Sequence, residues 1–314
     1  MTGDSVLVLF PGALGDFICF LPALFALRQR HAGPLLVVAQ PALLELVYLP
    51  HSTTAAIHRR EVADLFARGP LAAETRRLFG SVACTYSWTG FDDANFSTRL
   101  AAATGGTVHV YRFRGMQAGE HASDYYARCV GSRAAHPVTV VTDTEWVQGF
   151  VAQNGLSDRK LLLIHAGSGA PAKNWQGGAQ LIRYWGEHND DAIVLLRGPA
   201  EMESEWPHPG VISVSGLSLP QVAALLQWSD VYLGNDSGIS HLAAAVGARG
   251  AVLFGPSDPA VWAPRGARLR VLDAPTPCPR CGPDVFCVHR LSVERVIAAL
   301  SECRQLAGGG ASNS

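Results

Sequence analysis

The densest cluster of residues that could handle charge is Gly234-Asn235-Asp236-Ser237-Gly238. An apolar strand at Val231 to Leu233 precedes it, and from Ile239 an apolar pattern of helical period puts Leu242, Ala243 and Val246 on one face. Strand, tight turn and helix follow from that order. The free N–H groups and positive dipole end of such a helix suit an anion, most often phosphate. Asp236 or Ser237 is placed to cap the helix, Gly238 lets a ligand approach its first turn, and Gly247 suits its C-terminal stop. Ser237 and His241, four residues apart, look out of one face. Taken alone, the same residues also fit a plain cap and a satisfied core histidine.

Three further stretches carry chemistry. In His165-Ala166-Gly167-Ser168-Gly169, a glycine-rich turn after a strand exposes backbone donors, and Lys173 a few residues on can set a point charge against a phosphate. The spacing is not that of a P-loop, and a surface loop fits equally well. Gly12-Ala13-Leu14-Gly15-Asp16 puts a carboxylate after the first strand, where it is a base or a helix cap. The strict Gly-x-Gly-x-x-Gly of dinucleotide sites is absent there. Finally, Cys278, Cys281, Cys287 and His289 are four soft ligands at a spacing that could hold zinc tetrahedrally, or a structural cysteine-rich loop.

These residues need a scaffold that brings strand ends together. Ser5 to Phe10 is a continuous apolar run, as for a strand buried on both faces of a parallel sheet. A helix from Phe17 or Leu21 to Arg30 follows, with Pro22 tolerable only near its first turn. Strands at 35–39, 82–87 and 108–113 alternate with helices near 41–48, 71–79 and 95–103. An amphipathic helix over 143–154 leads to Gly155-Leu156-Ser157-Asp158, a domain boundary by its composition. A second cycle opens at Leu161 to His165, with strands at 192–196, 211–214, 231–233, 251–254 and 269–272 and helices near 177–188, 219–227 and 239–246. Two Rossmann-like α/β domains with mostly parallel sheets are expected, 1–157 and 158–306, followed by a flexible tail over 307–314.

Composition narrows the function classes. The 314 residues are 48% hydrophobic with a formal charge of -1, which suits two buried cores and excludes nucleic acid as an expected partner. Seven scattered cysteines suit a reducing compartment, so the cytoplasm is the expected location. The apolar run from Val6 to Leu27 holds Pro11, Asp16 and Pro22 and lacks a basic start, so it reads as strand, loop and helix.

The run GNDSGISHLAAAVG followed by LFGPSDPAVWAPRG resembles the C-terminal signature of glycosyltransferase family 9, the ADP-heptose:lipopolysaccharide heptosyltransferases. Gly15-Asp16-Phe17-Ile18-Cys19-Phe20-Leu21-Pro22-Ala23-Leu24 and the His165 to Trp175 loop are similar to two more of its motifs. The resemblance implies a GT-B fold, two domains facing across a cleft, with a nucleotide-sugar donor on the C-terminal domain and a glycan or glycolipid acceptor on the N-terminal one. It implies Asp16 as catalytic base. Lys173 and Ser168 would contact the diphosphate, together with Ser237, Gly238 and His241, while Asp236 fixes the turn. Glu201 would hold the ribose, although Glu203 leaves its register open, and Leu217 would line the base pocket. Transfer would be inverting, with no metal or other cofactor, and the Cys278 to His289 stretch would stay outside the mechanism. Peripheral contact with the inner face of the bacterial inner membrane is compatible with such an acceptor, though no amphipathic anchor stands out. A non-hydrolysing nucleotide-sugar epimerase, or a binding protein that keeps the donor pocket alone, is the alternative.

Overall fold

A computed structural model describes residues 4–198, 210–274, 278 and 287–308. Glu201, Glu203, Cys281 and the glycine-rich tail from Gly309 lie outside the described residues. The chain divides into two compact units, Met1–Ala135 and His136–Ser314. The division falls ahead of the expected boundary at Gly155 to Asp158. The helix Thr144–Gln153 explains the difference, because it packs on the helix Leu219–Trp228, and the Asp143 N–H donates to the Pro220 carbonyl at 3.0 Å. Polar residues after that helix therefore mark a surface turn within the second unit.

The first unit is built on a five-stranded sheet of β1 (Val6–Leu9), β2 (Leu35–Ala39), β3 (Ser52–Ala56), β4 (Cys84–Ser87) and β5 (Thr107–Val110). Their order is β3-β2-β1-β4-β5, and every pairing is parallel. β1 and β2 are buried along their whole length, as their unbroken apolar runs require. β3, Ser-Thr-Thr-Ala-Ala, is a half-exposed edge strand with no apolar run to announce it. The helix after β1 spans Leu14–Arg30, so Pro22 lies in its interior and not near its first turn. A proline there costs about 3 kcal/mol. Phe17, Phe20, Leu21, Leu24 and Leu27 are all buried along the same helix, and at about 2 kcal/mol for each large apolar side chain their burial outweighs that cost.

The second unit carries six strands: β6 (Leu161–His165), β7 (Ala192–Arg197), β8 (Val211–Ser215), β9 (Val231–Asn235), β10 (Gly250–Phe254) and β11 (Leu269–Asp273). They are ordered β11-β10-β9-β6-β7-β8, again all parallel. Trp185, Leu162, Ile164, Leu233 and Leu253 belong to one buried cluster beneath the helices Gly178–His188 and Val293–Gly308. In each sheet the strand order turns about the first strand of the unit. The crevice at the carboxyl ends beside that strand is where open parallel sheets place ligands, between β1 and β4 in one unit and between β6 and β9 in the other. No helix among the described residues is long and apolar enough to cross a membrane.

Candidate functional site

In the first unit the loop after β1 delivers Asp16 into the first turn of the helix Leu14–Arg30, with its residue only 4% exposed. Gly12 permits this arrangement, since a side chain there would meet the Phe10 ring and come within 2.8 Å of the Asp16 Cβ. The carboxylate receives two hydrogen bonds from one guanidinium: Arg114 Nε donates to Oδ1 at 3.1 Å and Nη2 to Oδ2 at 2.9 Å. Such a fork holds a carboxylate in one plane. Its hydrogen bonds to Asp16 push the Arg114 pKa above its usual value.

Arg114 was not singled out by sequence. It lies 98 residues from Asp16 in an irregular segment after β5, and nothing local marks it. The aromatic residues nearby explain how it arrives. The helix Ala122–Cys129 packs on the helix Leu14–Arg30, and the Tyr126 hydroxyl donates to the Phe113 carbonyl at 3.0 Å, fixing the residue before Arg114. The Arg114 guanidinium also lies 5.2 Å from the Phe113 ring centroid.

In the second unit the loops after β6 and β9 are tied together by one side chain. Asn235, the last residue of β9, accepts the Trp175 N–H at 3.2 Å and donates through Nδ2 to the Ala166 carbonyl at 2.6 Å. Trp175 is buried, and its indole N–H donates to the Leu291 carbonyl at 2.9 Å. Gly177 leaves room for that ring. With Trp175 held by hydrogen bonds at both its backbone and its indole, Lys173 two residues earlier is aimed at the β9 turn, where its Nζ meets Asp236 Oδ2 at 2.6 Å. Asp236 is buried and its N–H is bound to the Leu253 carbonyl, so the carboxylate is a fixed anchor for the lysine.

Ser168 lies in this loop but its hydroxyl is engaged within it, 2.6 Å from Asn174 Oδ1 and 2.7 Å from the Ala170 carbonyl. It shapes the turn that carries Lys173. Ser237 occupies the N-cap position of the helix Gly238–Ala245, yet its side chain makes no cap hydrogen bond, and Asp236 is turned to Lys173. The N-caps Asp93, Asp143, Ser218 and Asp258 do cap their own helices. The helix at Gly238 therefore begins with first-turn N–H groups that no cap side chain satisfies, at its positive dipole end. Ser237 Oγ stands 3.4 Å from His165 Nδ1. Burial lowers the His165 pKa from 6.5 to about 4, so the ring is neutral at pH 7.

His241 is buried one turn along the same helix, and Gly247 ends that helix region in the left-handed conformation at φ 73°. Leu217 is half-buried just beyond β8, two strands from β6. Lys173, Ser168, Asp236, Ser237 and Gly238 are thus brought to one sheet crevice, Leu217 to another strand end, and Asp16 to the other unit. Asn235 and Asn174 join the first group; both sit inside the sequence motifs, but only the fold shows what they bridge.

The two all-parallel sheets match those of GT-B glycosyltransferase structures. A glycosyltransferase family 9 protein from Veillonella parvula shares 21% identity with a TM-score of 0.74, over 97% of this chain and 98% of that one. The E. coli ADP-heptose lps heptosyltransferase II shares 17% identity with a TM-score of 0.74, over 97% and 99%. The E. coli heptosyltransferase WaaC with ADP shares 18% with a TM-score of 0.64, over 95% and 99%. No curated protein sequence matches the chain. The family model described as glycosyltransferase family 9 (heptosyltransferase) matches residues 98–284, more than half of the chain. The chain belongs to that family and is a glycosyltransferase.

Proposed function

We propose that the protein transfers heptose from ADP-heptose to a hydroxyl of a lipopolysaccharide-core or related glycan acceptor, with inversion and without a metal in the reaction. The observation that carries this reading is the uncapped helix N-terminus at Gly238 beside the Lys173–Asp236 pair, at the ligand crevice of the second sheet. An internal acid already balances Lys173, so the helix end supplies the net attraction for a diphosphate and Lys173 a directed hydrogen bond. His241 would be a further donor, with Ser237 able to turn its hydroxyl to the ligand. Glu201 at the ribose and Leu217 at the base complete the donor assignment. ADP-heptose as donor rests on the names of the E. coli relatives.

In transfer, the acceptor oxygen bonds to the anomeric carbon as the carbon–oxygen bond to the diphosphate breaks. The hydroxyl proton passes to Asp16, acting as general base. Arg114 orients that carboxylate, and one oxygen must share its arginine bond with the acceptor hydroxyl. Negative charge growing on the leaving diphosphate is stabilised by Lys173 and the N–H groups at Gly238. A water-excluded geometry with both substrates bound makes a carboxylate an adequate base. The reaction is assigned to the cytoplasm, at the inner face of the inner membrane where such acceptors are assembled.

Calorimetric titration with ADP, UDP, GDP and CDP tests the donor. ADP should bind tightest, and a clear preference for another base would remove ADP-heptose. NMR of the transferred sugar reads its anomeric configuration, and retention would exclude a single displacement. Donor incubated alone should stay unchanged, whereas a new nucleotide sugar without acceptor would identify an epimerase.

A further inference from the structure

Cys278, after β11, and Cys287 and His289, ahead of the last helix, take no part in the donor crevice described above. One ligand atom from each lies within 4.8 Å of the others, and Cys278 Sγ is 3.5 Å from His289 Nε2. Tetrahedral zinc, with Zn–S about 2.3 Å and Zn–N about 2.0 Å, sets a sulfur and a nitrogen ligand about 3.5 Å apart. That edge is met. A sulfur–imidazole hydrogen bond alone would account for the edge but not for the second thiol that converges on it. Neither cysteine is in a disulfide with another described residue.

We propose that Cys278, Cys287 and His289 bind a structural zinc ion. Two sulfurs and an imidazole form a soft donor set that selects zinc over calcium or magnesium, whose ligands are oxygens. Each thiol releases its proton to solvent on binding, and the fourth position is filled by water or a further side chain. Cys278 is buried while His289 is exposed, so the ion has a solvent-facing side.

The place of the site in the fold gives the ion a task. Val288, between two of the ligands, is buried in the core of the second unit, and its backbone lies against Gly255 after β10. The turn Val288–Arg290 leads directly to Leu291, whose carbonyl holds the Trp175 indole. Zinc would pin this segment at Cys287 and His289 and so steady the far end of the loop that carries Lys173.

The test is the metal content of the full chain, isolated under reducing, oxygen-free conditions without a metal-affinity tag and measured by plasma mass spectrometry. About one zinc per chain is expected, lost to background in Cys278→Ser and Cys287→Ser and retained in Cys129→Ser. His289→Ala, at an exposed position, guards against a folding failure: that variant should stay folded and release zinc to a colorimetric chelator faster than the parent chain. Cobalt loaded in place of zinc should show tetrahedral ligand-field bands and thiolate-to-cobalt charge transfer. Zinc that survives Cys287→Ser, iron in its place, a Cys278–Cys287 disulfide in the fresh protein, or no uptake of added zinc or cobalt would each overturn the proposal. Metal content is read without substrate, so failure here leaves the donor assignment intact, and the reverse holds as well.

Discussion

The two carboxyl edges of this molecule use the same device in opposite ways. Each holds a buried carboxylate against a more exposed cation: the Asp16 side chain is 5% exposed and Arg114 55%, Asp236 8% and Lys173 29%. In the first unit the acid sits inside the helix, in its own first turn. There it meets the dipole itself, leaving the helix end little attraction for an outside anion. In the second unit the acid precedes the helix and is bound to a lysine, while the cap side chain makes no cap bond. The positive end then remains for a ligand. One parallel fold thus leaves a paired carboxylate at one sheet edge and an open helix end at the other, the contrast on which the proposed roles of base and phosphate site rest, and the position of one aspartate relative to a helix start separates them.

The sharpest way to break this contrast is Asp16→Asn. Transfer should fall by about 10²- to 10⁴-fold, the range of general-base catalysis, while calorimetric affinity for ADP stays unchanged. Full activity in that variant would remove Asp16 as base. Next in size is the neutral His165 behind Ser237. With its folded pKa about 4 against 6.5, the unfolded chain binds a proton that the folded one refuses across that interval. Its contribution is complete above pH 6.5 and is lost as pH falls toward 4, by about 3 kcal/mol in all. Denaturant unfolding of the parent and His165→Gln across this window should converge at the acid end; parallel curves would refute a buried neutral ring.

Lys173→Ala should weaken ADP binding by about 10- to 100-fold, the worth of a hydrogen bond to a charged group, and an unaltered dissociation constant would sink the phosphate assignment. Smallest is Arg114→Ala. It should lower stability by about 1 kcal/mol, since the arginine is half exposed and water replaces part of its bond. It should also reduce kcat while sparing ADP affinity, a split that a donor-site residue would not give.

Much of the scaffold was legible because buried parallel strands are continuous apolar runs: β1, β2, β6, β7 and β10 announce themselves in this way. β3 did not, since Ser-Thr-Thr-Ala-Ala on an edge needs no apolar face. The helix start at Leu14 was hidden by Pro22, whose local cost is overridden by a buried apolar helix. The loops at Asp16, Lys173 and Ser237 were visible as glycine-bracketed polar residues at strand ends. The division into compact units falls ahead of Gly155 to Asp158, since that stretch is polar and turn-like for local reasons, whereas division into units depends on what the helix before it packs against.

By itself, the order of residues determined two α/β cycles and the polar groups standing at the ends of their strands, because backbone propensity and apolar periodicity act over a few residues at a time. Only tertiary structure decided the partners: Arg114 for Asp16, Asp236 for Lys173, Leu291 for the Trp175 indole. Those pairings span 98, 63 and 116 residues. Parallel crossovers bring distant strand ends to one edge, and a charge finds its counterion there through packing that no local pattern encodes.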